Sequence, residues 1–195
     1  MFALTDILPD TVEINGFEHR IDLSFDNVLS VIDLLNEVGI DDIEQITTGL
    51  YMLLGVHLEY PLQEQADIFV MLFDNFINNE QADDDVEYDI EGNPMPIVQE
   101  ENNQDSYDIK QDAQYIYSSF LQCYNMDLFE QQGKLHWWKF KALLSGLSED
   151  TKFKKVLEIR QMELPTGKGT SKQREAIKKI KRAYALKPKG NGGSA

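Results

Sequence analysis

Gly133-Lys134-Leu135-His136-Trp137-Trp138-Lys139-Phe140-Lys141-Ala142-Leu143-Leu144-Ser145-Gly146-Leu147 holds both tryptophans of a 195-residue chain. The spacing predicts a helix ended by Gly146. Trp137, Phe140 and Leu144 lie three and four apart on one face, and Trp138 projects about 100° away. One helix cannot bury both indoles on the same side. One therefore belongs to a core and the other to a second interface, within the chain or with a partner. The stretch also divides the charge. Before Lys134 there are 29 Asp or Glu against Arg20 and Lys110, a formal −27; from Lys134 onward, 16 Lys or Arg face five acids, a formal +11.

Toward the C-terminus, Ser148-Glu149-Asp150 predicts the cap of a helix with Phe153, Val156, Leu157 and Arg160 along it. Residues 163–186 read as a break, marked by Pro165 and Gly167, and then a basic amphipathic helix capped by Ser171. That helix carries Lys178, Lys179, Lys181 and Arg182 against Ile177, Ile180 and Tyr184. The break is not a phosphate-binding loop, because the G-x-x-x-x-G-K-[ST] spacing is not met. Residues 187–195 are Gly-rich and read as a disordered tail.

Toward the N-terminus, Asp108 or Asp112 starts a helix bearing Ala113, Ile116, Tyr117, Phe120, Leu121 and Tyr124. Residues 107–162 thus form one helical unit. Residues 79–106 are acidic and poor in apolar side chains, too poor to offset the entropy of ordering, and read as a flexible linker. Residues 1–78 read as a hairpin on three helices. Asn15-Gly16 supplies the two positive-φ positions of a tight turn between alternating strands. Ser24 is placed to cap a first helix with Val28, Leu29, Val31, Ile32, Leu35 and Val38 as its stripe and Gly39 as its end. Asp41 or Asp42 opens a second helix closed by Gly55. Pro61 fits the start of a third, with Ile68, Phe69, Leu72, Phe73, Phe76 and Ile77 buried. The expected fold class is mainly α.

The chemistry that would make an enzyme is missing. His19, His57 and His136 share no metal-ligand spacing, and no H-E-x-x-H or G-x-S-x-G occurs. Cys123 is alone, which excludes an internal disulfide or a two-Cys site. Asp83 to Gly92 lacks the ligand ladder of a calcium loop. No catalytic, cofactor or metal residue is assigned, and the chain is expected not to be an enzyme. The N-terminus lacks the basic and apolar regions of a signal peptide, and no run of 18 apolar residues suggests a membrane span. The default is therefore a soluble intracellular protein without a membrane partner. What remains is binding, with Trp137, Trp138, Phe140, Lys134 and Lys139 as candidate protein-contacting residues. The basic last helix could lie on nucleic acid, an anionic surface or an acidic protein. Nucleic acid is disfavoured by the −27 in front and by the lack of interleaved exposed aromatics.

Two stretches resemble known families. Leu8 to Gly16 followed by Ile21 to Leu29 resembles the start of tail assembly chaperones of long-tailed phages. Asp112-Ala113-Gln114-Tyr115-Ile116-Tyr117 and Lys134-Leu135-His136-Trp137-Trp138-Lys139-Phe140, continued by Leu144-Ser145-Gly146-Leu147 and Ile159-Arg160-Gln161, resemble the "gene product fifteen" family of phages and prophages of Gram-positive bacteria. The resemblance implies a mainly helical tail assembly chaperone of the host cytoplasm, absent from the mature virion. Such a chaperone self-associates and coats the tape-measure protein so that the tail tube protein can polymerise around it. The alternatives are a nucleic-acid-binding module acting through the basic C-terminal third and a minor structural tail protein.

Overall fold

The computed structural model describes residues 3–78, 106–167 and 170–187. The predicted acidic linker, Ser106 apart, and the predicted tail, Lys187 apart, lie outside them. Among the described residues the architecture is mainly α, with seven helices and one two-stranded hairpin. The chain divides into two compact units: Met1–Pro96 with Gln131–Ala142, and Ile97–Glu130 with Leu143–Ala195.

In the first unit, β1 (Thr11–Ile14) pairs antiparallel with β2 (Phe17–Arg20), from Thr11 opposite Arg20 to Ile14 opposite Phe17. Asn15 at φ 52° and Gly16 at φ 83° form the two-residue turn the sequence predicts. Helices α1 (Phe25–Leu35), α2 (Asp42–Leu54) and α3 (Leu62–Leu72) follow, each packed on the next, and α3 continues into a π-helical turn, Phe73–Ile77. Asp41 caps α2 by accepting the Glu44 N–H, and Gly55 ends it in the left-handed conformation. Val28, Val31, Leu53 and Leu72 are fully enclosed; each such side chain contributes about 1.5–3 kcal/mol relative to exposure. Gly49 is required where α2 crosses α3, since a Cβ there would stand 2.6 Å from the Phe69 ring.

Several boundaries differ from the sequence reading. Helix α1 stops at Leu35, before Gly39, and Val38 is 76% exposed instead of completing the stripe. The physical reason is on α2: the Gln45 side-chain amide donates to the Leu34 and Glu37 carbonyls, giving the end of α1 partners outside a continued helix. Ser24 stands at the N-cap, but its side chain makes no cap bond.

In the second unit, α4 (Ala113–Tyr124), α6 (Lys152–Gln161) and α7 (Ser171–Tyr184) pack in the order α4–α6–α7. Helix α5 (Trp137–Ser145) begins in the first unit, and the division falls after Ala142. Asp112 precedes α4, which Asn125 ends in the left-handed conformation. The cap of α6 is Thr151, buried and accepting the Lys154 N–H, three residues beyond the predicted Ser148. Ser148 instead accepts from Thr151 through its carbonyl. Thr170, not Ser171, occupies the cap position of α7. Leu121 is 43% exposed, outside the buried face of α4 that Ile116 and Phe120 form.

Candidate functional site

By sequence the Trp-rich stretch belongs wholly with residues 107–162. Its first part packs with residues 3–78 instead. Trp137 N–H donates to the Leu23 carbonyl and Phe25 N–H to the Leu135 carbonyl, so residues around His136 lie beside Ser24 as a short antiparallel bridge. Phe140 stacks on Phe25 with ring centroids 5.0 Å apart, and Trp137 stacks on Phe140 at 5.6 Å. Asp26 accepts the Gly133 N–H at 2.9 Å, fixing the turn before α5.

Both indoles find partners in the same place. Trp138 Nε1 donates to the Phe76 carbonyl at 2.7 Å, and Trp137 Nε1 to the Ile77 carbonyl at 2.9 Å. Lys141 Nζ adds a third bond, 3.1 Å to the Ile77 carbonyl, and lies 5.6 Å from the Trp137 ring centre. These carbonyls close the π-helical turn, where a helix runs out of its own donors. Two indoles and an ammonium supply them. The cation also offsets the negative end of the helix dipole, by about 0.3–1 kcal/mol. The indoles thus divide into one buried side chain, Trp137, and one half-buried, Trp138.

Of the five candidate contact residues, Trp137 and Phe140 are interior, at 5% and 1% exposure. Trp138 is half-buried, and Lys134 and Lys139 reach the surface. His136 is half-buried, its ring edge-on to Trp138 at 5.3 Å. Its Nδ1 accepts the Trp138 N–H at 3.1 Å and its Nε2 lies 3.3 Å from the Pro9 carbonyl. A neutral ring protonated on Nε2 satisfies both bonds. Burial lowers its pKa below the ordinary 6.5; the Pro9 carbonyl opposes this and Lys139 adds to it.

The second unit has a polar knot that the sequence did not reveal. Arg160 holds Asp112 with two bonds of 2.7 Å, and also donates to the Ser106 and Tyr184 carbonyls. Asp112 is 1% exposed and, 48 residues from its partner, gives no local signal. Ser119 completes the interior, donating to the Tyr115 carbonyl and accepting the Phe153 N–H. Lys152 lies 4.6 Å from the Tyr184 ring centre and bonds its hydroxyl.

Outside these knots lie exposed apolar faces. Helix α7 has its apolar and basic residues on opposite sides and no buried residue. Beside its first half runs an open groove of about 500 Å³ lined by Glu163, Leu164, Pro165, Thr166, Gln173, Ala176 and Ile177. Phe129 is 70% exposed over Tyr117, whose phenol titrates above its usual range through burial and the Asp127 and Glu130 carboxylates. On α3, Leu62 and Val70 are 52% and 56% exposed. His57 stacks on Tyr51, apart from His136. Among the described residues no group of three His, Cys, Asp or Glu could hold a metal ion, and no helix is long and apolar enough to cross a membrane.

No curated protein and no solved structure matches the chain. The family model described as bacteriophage Gp15 protein matches residues 4–186, from the arm before the hairpin to the end of α7, and the chain belongs to that family.

Proposed function

We propose that this phage protein is a non-catalytic tail assembly chaperone. It works in the host cytoplasm, self-associates and coats the tape-measure protein until tube subunits replace it, and it is not retained in the virion. The observation that carries the reading is α7, a strongly segregated amphipathic helix of which no residue is buried. Although α7 packs on α6 and half-buries Ile177 and Tyr184, it leaves Ala176 and Ile180 as an exposed apolar strip to offer. A tape-measure protein has the complementary need, since long apolar helical stripes aggregate unless another helix covers them. The exposed Leu62 and Val70 of α3 supply a second surface of the same kind. Membership of a phage family supports the setting.

The test is co-expression with the tape-measure protein of the same phage. Wild-type chain is expected to keep that protein soluble, and Ile177→Glu/Ile180→Glu to lose most of this effect. Trp137 and Trp138 are poor positions for the experiment, because their loss would undo the first unit itself. Tape-measure solubility independent of the α7 variant would refute the reading. Mass spectrometry of purified virions checks the remaining part: the chain should be absent, and stoichiometric amounts would favour a structural tail component.

A further inference from the structure

Two exposed faces, one on each unit, match in spacing and are opposite in charge. On α7, Ala176 and Ile180 are exposed four residues apart, Ile180 at 45%, with the half-buried Ile177 beside them, while Tyr184 is held by Tyr115 and Lys152 of its own unit. Lys172 and Lys179, both exposed, line one edge of that strip, seven residues apart. On α3, Leu62, Ala66 and Val70 recur every four residues, with Leu62 and Val70 more than half exposed. Asp67 and, in the π-helical turn, Asp74 line one edge of this stripe; both are exposed and they too are seven residues apart. Seven residues are two helical turns, about 10 Å, so the lysine pair and the aspartate pair repeat at the same interval.

The wider charge follows the same division. Residues 3–78 hold 15 Asp or Glu against Arg20, and α7 holds six Lys or Arg against Glu175. Two α7 helices would repel each other, whereas α7 and α3 attract. We propose that α7 of one copy lays its apolar strip along Leu62, Ala66 and Val70 of a second copy, with Lys172 and Lys179 opposite Asp67 and Asp74. This rests on the reading that the chain self-associates, and it names the surfaces; the α7 strip then serves the α3 stripe of the next copy or a tape-measure helix in turn, never both at once. The two faces differ, so the contact is heterologous. Each added copy presents a fresh α3 or α7, and the assembly grows unless its rotation closes a ring. The groove beside Gln173, Ala176 and Ile177 gives the incoming stripe a place to seat an apolar side chain.

Charge reversal of the full chain tests this by sedimentation velocity. Wild type should form species larger than the 22.4 kDa monomer, growing with concentration and shrinking with salt. Lys172→Glu/Lys179→Glu and Asp67→Lys/Asp74→Lys should each raise the concentration needed for assembly at least about tenfold. All four positions are exposed, so helical circular dichroism should be unchanged and checks that each variant folds. Combining the four reversals in one chain should restore assembly, an outcome that general damage would not produce. A wild-type monomer at every concentration overturns the proposal. So do single-face reversals that assemble like wild type, or a fourfold variant that stays dissociated. The purified chain is used alone, so these failures leave the co-expression result standing. A chain that assembles but leaves the tape-measure protein insoluble fails only the latter.

Discussion

Replacing Arg160 by Met should be the most costly single change in the second unit. The side chains of Arg160 and Asp112 are 11% and 1% exposed, and their two bonds are both 2.7 Å. Met keeps most of the volume and removes the charge. Asp112 is then a buried carboxylate whose largest compensation is gone, and breaking such a pair costs about 3–5 kcal/mol. The Ser106 and Tyr184 carbonyls also lose a donor, so the upper part of that range applies. Against a total stability of about 5–15 kcal/mol, this is a large fraction. In a chain of this size it lowers the melting temperature by about 10 °C. Thermal and urea unfolding followed by far-ultraviolet circular dichroism measures the loss; tryptophan fluorescence would not, because both indoles report from the first unit. The second arm is Asp112→Asn/Arg160→Met. The introduced amide carries no stranded charge, and its oxygen can still accept the Asp108 N–H that the Asp112 carboxylate now takes. The double variant should therefore be more stable than Arg160→Met alone. A single variant within about 0.5 kcal/mol of wild type, or a double variant worse than the single, would refute the account of this knot.

Gly49→Ala tests the α2–α3 crossing. Helix propensity favours Ala by about 1 kcal/mol, but the new methyl meets the buried Phe69 ring at 2.6 Å. Overpacking of about 1–3 kcal/mol should leave the variant less stable in urea, and a gain in stability would show that the ring gives way freely. His136 gives a pH dependence of known sign. The folded chain holds its pKa below 6.5, so the unfolded state binds more protons in that window. Its stabilisation is complete above pH 6.5 and is lost as pH falls toward the lowered folded value. Urea midpoints of wild type minus those of His136→Gln should therefore shrink on acidification to about pH 5, and a flat or growing difference would contradict the neutral tautomer.

Local features are legible in the sequence wherever the chain's own neighbours decide the geometry. Asn15-Gly16, Asp41 and Gly55 all act within four residues, and each stands where its residue type predicts. Gly39 misleads because the end of α1 is set by Gln45 on the next helix. Ser148 misleads because two good cap residues, Ser148 and Asp150, precede the one, Thr151, that is buried in the second unit. The two indoles do need two partners, as their spacing implies. Their spacing cannot locate those partners, since both acceptors are main-chain carbonyls 60 or so residues earlier, and a carbonyl has no sequence signature. Arg160 reads as one more basic position on α6 because its carboxylate partner, Asp112, lies 48 residues earlier among many other acids.

The indole clasp also sets an order of events during synthesis. The first unit is made of two chain segments, and its last piece, residues 131–142, leaves the ribosome long after Ile77. At translation rates of about 5–20 residues per second the wait is about 3–12 s. Through that interval Phe25 lacks its stacking partner Phe140, and the Phe76 and Ile77 carbonyls lack Trp138, Trp137 and Lys141. A product ending near residue 78 would remain in that unfinished state permanently. The nascent front end is thus itself a client for cover, and the unit can close only after α4, the opening helix of the second unit, has already emerged.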